Sequence, residues 1–471
     1  MSRMDAPNRR LNAEPNLEPE RADPERQLPV AERQLPMADR QLPMAVRKPP
    51  MVVRQGPDDA HWRRVEDWPH LEKLNKRSHW GIKKGLGNTT ALLEALGRPD
   101  RSYPIVLIAG TNGKGSVGAL LAHAMKSAGN VVGWYTSPHL VTPLERIWTD
   151  GHHIGAGALD LLLNEAFETE HDEGLEATYF ELMTVAAFSA FRMTGVELAI
   201  VEVGLGGRWD ATNACEPMVS VLTNVGLDHQ QYLGNTLEAI AREKLCIARE
   251  GHTLVTGPGL KPDWLRPLLE CRPAISPAPA LKASAIHWDH SMVAGHRLNL
   301  AGAHQLANLA TALEVMRHLR CLGFPIPDTA MWKGIEETRW PGRLWRVPGL
   351  EEVWMDGAHN PDGARVLADH ALACGIHPHL YFGAMKDKDL AAMRAQLLRM
   401  EPRSMTGVVG TGDRWADAAQ LRSVWGGDLE VLDLPQAAQR LKANAEGNRL
   451  VTGSLYLIGD ILRELRIYPK A

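Results

Sequence analysis

A run of apolar residues, Ile105 to Ile108, passes through Ala109-Gly110-Thr111-Asn112-Gly113-Lys114-Gly115-Ser116 directly into the helical stretch Val117 to Ala128. Strand, glycine loop and helix in that order constrain the chain more than any other feature. The loop must sit at the carboxyl end of a strand and turn its backbone N–H groups toward an anion, where the helix N-terminus adds partial positive charge. Glycines at 110, 113 and 115 remove the Cβ atoms that would block a phosphate. Lys114 adds a full charge, and Ser116, opening the helix, can place its hydroxyl on a magnesium ion (Mg2+) bridging nucleotide phosphates. The spacing departs from the general Walker A pattern, because Gly115 separates Lys114 from Ser116 and Ile108 stands where the first glycine usually does. An ordinary glycine-rich turn is the alternative.

Apolar strand-like runs alternate with amphipathic stretches on either side of this unit: IVLIAG at Ile105, VVGWYT at Val131, LAIVEVG at Leu198 and VSVLTNVG at Val219. That alternation predicts an α/β fold with a parallel sheet. A second series after Trp340 predicts five further strands: EVWMDGA at Glu352, HLYFGA at His379, TGVVGT at Thr406, LEVLDL at Leu429 and GSLYLIGD at Gly453. PAISPAPA, from Pro273 to Ala280, reads as a loop, and RWPGR, from Arg339 to Arg343, as the hinge between the sheets. A chain of 471 residues should hold two or three compact units. The expected division is a tail over 1–60, a first domain over 61–338 and a second over 339–471.

The tail differs from the rest. Met1 to Gln55 contains nine prolines and no aromatic residue, and a seven-residue unit recurs as ERQLPVA from Glu25, ERQLPMA from Glu32 and DRQLPMA from Asp39. Each copy carries a proline, which costs about 3 kcal/mol inside a helix, so the period is not a coiled coil. The segment is expected to be disordered or partly polyproline, with a docking arm for an unidentified tail partner as the alternative.

Formal net charge is -4, from 52 basic and 56 acidic residues, so there is no broad basic field to hold nucleic acid or anionic lipid. No apolar stretch approaches the roughly 18 residues of a membrane span, and no secretory h-region opens the chain, which predicts a cytoplasmic protein with no membrane partner. The five cysteines (Cys215, Cys246, Cys271, Cys321 and Cys374) lack paired short spacings and read as reduced thiols.

Glu202 ends the apolar run LAIVE, where a lone acid needs a positive partner that a metal can provide. His229, in NVGLDH, closes another strand, and carboxyl ends of strands are where open α/β sheets bind ligands. Ser116, Glu202 and His229 can thus converge on one magnesium, although histidine is an unusual ligand for a hard cation. A capped structural acid and a satisfied turn histidine are the alternatives.

Several blocks in order resemble the folylpolyglutamate synthase and dihydrofolate synthase family of the Mur ligase superfamily. They are GTNGKGS at Gly110, YTSPHL at Tyr135, VEVGLGGRWDATN at Val201, TNVGLDH at Thr223, GAHQLAN at Gly302, WPGR at Trp340, DGAHNPDG at Asp356 and KDKD at Lys386, and the likeness covers roughly Trp62 to Arg466. The resemblance implies a Mur-ligase-type P-loop ATPase domain with a mostly parallel sheet, followed by a smaller Rossmann-like α/β domain. It also implies ATP and Mg2+ as cofactors, with ATP held by Gly110 to Ser116 together with Asn308, Arg343, Asp356 and His359. From the residues alone, Arg343 can equally be a surface ion pair and Asp356 a turn former.

Lys244, in REKLCIARE, matches a lysine that is carbamylated in the family and helps bind a second magnesium. Here Leu245-Cys246 departs from the small residues usual beside it, and without the resemblance Lys244 reads as a solvated helix lysine. Ser137, Pro138, His139, Phe180, Arg208, Asp210 and Ala211 match positions lining the folate or dihydropteroate pocket. Phe180 also lies in a helical apolar stripe and reads as core by periodicity. The implied reaction adds L-glutamate to dihydropteroate or a reduced folate through an acyl phosphate, releasing ADP and phosphate, with Lys114, Arg343, His359 and Lys244 as its catalytic set. A monomer is expected. The alternatives are a Mur ligase acting on a UDP-linked precursor and a nucleotide-binding regulatory or scaffold protein with an inactive ligase body.

Overall fold

Strands buried on both faces need a helix layer on each side, and their side chains alternate between the two layers. The computed structural model describes residues 68–77, 84–350, 352–443 and 446–469; the tail over 1–60 with its repeats lies outside the described residues. The alternation is literal in the strand Ile105–Ala109 (β1). Ile105, Leu107 and Ala109 pack with the helix Tyr179–Thr194 on one face, while Val106 and Ile108 pack with the helices Lys114–Ser127 and Ala303–Cys321 on the other.

Among the described residues the first sheet has eight strands, β1 followed by Val132–Tyr135 (β2), Ile147–Thr149 (β3), His152–His153 (β4), Leu198–Glu202 (β5), Val219–Leu222 (β6), Thr253–Thr256 (β7) and Ala274–Pro277 (β8). Their order is β4-β3-β2-β5-β1-β6-β7-β8, parallel from β2 to β8, with β3 and β4 added antiparallel at one edge. PAISPAPA, expected as a loop, supplies β8. Prolines are tolerated there because β8 is an edge strand whose outer side has no ladder to complete.

A small antiparallel sheet that sequence reading did not single out follows, made of Ala285–Ile286 (β9), Ser291–Val293 (β10) and His296–Leu298 (β11). Its turn carries Trp288 against Trp354 and His370, at ring separations of 5.7 and 5.4 Å.

The third sheet contains Trp345–Arg346 (β12), Val353–Asp356 (β13), His379–Phe382 (β14), Ser404–Val409 (β15), Glu430–Asp433 (β16) and Arg449–Thr452 (β17), in the order β12-β13-β17-β14-β15-β16. All its pairs are parallel except β12 with β13. One predicted strand is misplaced: the fifth strand is Arg449–Thr452, and most of GSLYLIGD belongs to the helix Leu455–Leu465. Ser454 caps that helix through the backbone of Tyr456 at 3.1 Å, and Leu457, Ile458, Ile461, Leu462 and Leu465 bury one face at helical spacing. No helix among the described residues is long and apolar enough to cross a membrane.

The helix Leu455–Leu465 also touches the first sheet's loops. Arg463 Nη2 donates to the Val141 carbonyl at 2.9 Å, and a Cβ built on Gly459 would overlap the Leu140 carbonyl oxygen. Helix propensity favours alanine over glycine by about 1 kcal/mol, but a backbone oxygen cannot move aside as a flexible side chain can. Gly459→Ala is therefore expected to destabilise the protein by about 1–3 kcal/mol, the usual range for overpacking, and to lower its melting temperature; an unchanged or raised temperature in calorimetry refutes this contact.

Candidate active site

Gly110 and Gly113 adopt positive φ, +157° and +84°, between β1 and the Lys114–Ser127 helix. Neighbours after β6 hold the loop they form: Asn224 Oδ1 accepts from the backbones of Thr111 and Asn112 at 3.1 and 2.8 Å, and Thr223 Oγ1 donates to the Asn112 carbonyl at 2.6 Å. Asn308, buried on the Ala303–Cys321 helix, stands where a Cβ on Gly113 would be, and Trp340 stands 2.9 Å from a Cβ on Gly115. Nucleotide-loop residues, Asn308 and the WPGR segment are thus in contact. Ser116 is buried in the first turn.

Two lysine side chains point at one carbonyl. Lys114 Nζ lies 3.2 Å and Lys244 Nζ 3.1 Å from the oxygen of Gly110. Lys244 is only 4% exposed, so it is not a solvated helix lysine, and burial with the nearby Lys114 charge lowers its pKa to about 7. Glu202 ends β5, buried; its Oε2 accepts from the hydroxyl of Thr136 and from the Ser137 backbone at 3.3 Å, its Oε1 has no hydrogen bond among the described residues, and the residue lines a small cavity with Arg343 and Trp340. Burial raises the Glu202 pKa, opposed chiefly by Lys114 and also by Arg343. Both cations thus favour the charged form of the same carboxylate.

After RWPGR the third sheet contributes its own loops. Asp356 ends β13 with both carboxylate oxygens engaged, by the backbones of Leu344 at 2.8 Å and Ala358 at 2.9 Å. Burial raises its pKa against the opposing Arg343 charge. His359 faces Asp228 of the first sheet's loops, with Nε2 at 3.4 Å from Oδ2, and Lys388 of KDKD pairs with Asp228 Oδ1 at 3.0 Å. Burial pushes the Asp228 carboxyl up, but His359, His229 and Lys388 outweigh it and hold it well below the usual carboxylate range. His229 follows at φ +50°, its pKa lowered to about 4 by burial and by the Lys388, His359 and Lys114 charges despite Asp228.

A second cavity, about 560 Å³, opens between the two large sheets. Ser137, Pro138, Phe180, Asp210, Ala211, His229 and His359 line it, joined by Arg146, Trp209, Lys388 and Ser454. Phe180 serves both readings, partly packed on the core and partly in the cavity wall. Asp210 lines the cavity, but its carboxylate is engaged by the backbones of Leu205 at 2.8 Å and Thr212 at 3.1 Å and by the Thr212 hydroxyl at 2.5 Å. His139 lies in the smaller cavity, its Nδ1 accepting from Arg146 Nε at 2.9 Å. Arg208 is not among the residues lining the cavity; it pairs with Glu243, which does line it, at 3.0 Å and with the exposed Glu270 at 2.6 Å.

Sequence reasoning missed Arg146, Asp228, Asn360 and Lys388 as individual residues. Three of them stand inside blocks that it did single out, LDH, AHN and KDKD; Arg146 follows no motif, and only its burial beside Tyr179, at 5.2 Å from the ring, marks it.

The family model for the Mur ligase middle domain matches residues 108–253. The dihydrofolate synthase/folylpolyglutamate synthase of Bacillus subtilis is 32% identical over 430 residues, covering 83% of this chain and 97% of that protein. FolC of E. coli in complex with DHPP and ADP superposes with a TM-score of 0.74 at 29% identity, over 87% of this chain and 99% of that one. A bifunctional folylpolyglutamate synthase/dihydrofolate synthase with Mn, AMPPNP and L-glutamate bound gives 0.71 at 28% identity, over 88% and 100%.

The Lys244 environment carries a sign. Its pKa falls from an ordinary 10.5 to about 7 on folding, so above pH 7 the folded chain has lost a proton that the unfolded chain keeps to near 10.5. The wild type is expected to gain stability relative to Lys244→Met as pH rises through that window, with no change in the gap below it. Urea unfolding in carbon-dioxide-free buffer measures this, and a gap that is flat from pH 7 to 10 contradicts it.

Proposed function

The chain belongs to the dihydrofolate synthase/folylpolyglutamate synthase family of Mur-type ligases, and on that premise we propose which of its residues carry out the ATP-dependent joining of L-glutamate to a folate carboxylate. ATP and a divalent metal are its cofactors. The acceptor carboxylate attacks the γ-phosphorus, the bond to ADP breaks, and an acyl phosphate forms. The glutamate amine then attacks the acyl carbon and phosphate leaves. Because the mixed anhydride forms on the substrate, the protein needs no nucleophile of its own; it contributes positioning and charge.

One observation carries the assignment of roles: Gly115 of the phosphate loop, the buried Glu202 and Arg343 line one small cavity. Lys114 and Arg343 supply positive charge to the transferring phosphoryl group, the loop N–H groups and the helix N-terminus hold the phosphates, and Asn308 closes the loop from above. His359 lines the large cavity and is assigned to the acceptor side of the reaction. Asp356 acts by fixing the Leu344 and Ala358 backbones, which keeps the Arg343 loop in place.

Ser116, Glu202 and His229 are the set for one metal ion and Lys244 contributes to a second; when bound, such ions neutralise phosphate charge. The fit rests on Glu202, whose Oε1 is unengaged beside the loop, and on a lysine depressed enough to be a neutral amine that can take up carbon dioxide. Among the described residues no three His, Cys, Asp or Glu side chains cluster as a metal site by themselves, and this set contains two such residues. The large cavity takes the pterin and benzoyl part of the acceptor against Phe180, Pro138 and Ala211. This reading takes the enzyme to be a cytoplasmic monomer without nucleic-acid or membrane partners, acting on both dihydropteroate and reduced folates.

Purified protein given ATP, glutamate and either dihydropteroate or tetrahydrofolate is expected to extend both, read by product mass and phosphate release. Extension of only one removes the dual assignment. Lys114→Ala and Arg343→Ala are each expected to lower kcat by about 10²–10³, the scale of losing one preorganised charge at the transferring group, and wild-type kcat in either would remove that residue from the mechanism.

A further inference from the structure

One buried carboxylate between the two large sheets touches groups from both. Asp228, in the loop after β6, is 8% exposed at its side chain. Its Oδ1 accepts from the His229 backbone at 2.9 Å and pairs with Lys388 Nζ at 3.0 Å; its Oδ2 accepts from Asn360 Nδ2 at 3.0 Å and lies 3.4 Å from His359 Nε2. Three of these four groups come from two separate loops of the third sheet, after β13 and after β14.

Asn360 is fully assigned. Its Oδ1 caps the Pro361–Cys374 helix through the Gly363 backbone at 2.8 Å, and its Nδ2 donates to two acceptors of the first sheet's loops, Asp228 Oδ2 and, at 3.2 Å, Asn112 Oδ1 of the phosphate loop. The loop after β13 is thereby registered against the nucleotide cradle and against Asp228 at once. Lys388 and His359, held on the same carboxylate, both line the large cavity. Among the described residues Asp228 is the one carboxylate paired with Lys388.

Such a pair suits a contact that must form and release. Two charges that solvate when the cleft opens lose little net free energy on parting, whereas one charge left buried without the other is strongly unfavourable. The cleft can therefore close only with both partners present and still open for product release.

Building on the ligase reading, we propose that Asp228 is a positioning residue for the reaction: it is the latch that sets Lys388 and His359 in the cavity wall when the sheets close and, through Asn360, aligns them with the phosphate loop.

The test uses the full chain with Asp228→Asn, Lys388→Met and the double variant, assayed with ATP, glutamate and whichever acceptor the wild type extends. Each single change is expected to lower kcat at least about 10-fold with the KM for ATP within about 3-fold, and the double to fall no more than about 3-fold below the weaker single, because one interaction is removed in all three. Losses that multiply in the double variant, or wild-type kcat in Asp228→Asn, overturn the latch. Small-angle scattering gives a readout independent of turnover. With AMPPNP and acceptor the wild type is expected to contract and Asp228→Asn to stay expanded, and equal contraction refutes the proposal. Should Asp228→Asn lose its cooperative melting transition, Lys388→Met and Asn360→Ala carry the same two readouts. A wild type that extends no acceptor would overturn the ligase reading instead, while the scattering comparison still judges the latch.

Discussion

A side chain at position 110 or 113 has nowhere to go. A Cβ on Gly110 would overlap the Thr223 hydroxyl, and one on Gly113 the Asn308 amide, while both residues already hold positive φ. The loop is that tight because β1 and β6 are neighbours in a parallel sheet, so their carboxyl ends deliver Gly110 and Thr223-Asn224 to one spot. Everything else in the site is hung on this loop. Its Gly110 carbonyl receives both Lys114 and Lys244, and burial, together with the proximity of Lys114, is what depresses Lys244.

The two large sheets then supply opposite kinds of group to one cleft. The first contributes the cradle, the acid Glu202 and the latch carboxylate Asp228. The second contributes cations, Lys388 and the Arg343 loop fixed by Asp356, along with His359. Glu202 is offset chiefly by Lys114 on its own side and also by Arg343, whereas Asp228 is balanced across the cleft by Lys388 and His359. Packing of Gly459 on Leu140 and of Arg463 on Val141 also joins the sheets, beside the small cavity that Leu140 shares with Glu202 and Arg343, so the cleft has both a polar and a steric contact.

Legibility in the chain differed by residue for physical reasons. The cradle could be read because a strand, glycines and a helix start impose a local pattern. β8 could not, since three prolines signal a loop unless the strand is known to lie at a sheet edge. GSLYLIGD was read as a strand because a short apolar run fits either period, and what decides it is the Ser454 cap and burial continuing to Leu465. Arg208 shares a motif with Asp210, yet the two diverge: the arginine pairs with Glu243 and the exposed Glu270, while the aspartate turns in to cap its own loop.

By itself the chain determined the alternating α/β architecture, the phosphate cradle and the family, because these rest on local spacing and on blocks of residues in order. Only the tertiary structure decided which charges meet. Asp228 and Lys388 are 160 positions apart, and no periodicity links them. Their pairing exists because two parallel sheets turn their carboxyl-end loops toward each other, and that arrangement is a property of packing between layers, which local sequence does not encode.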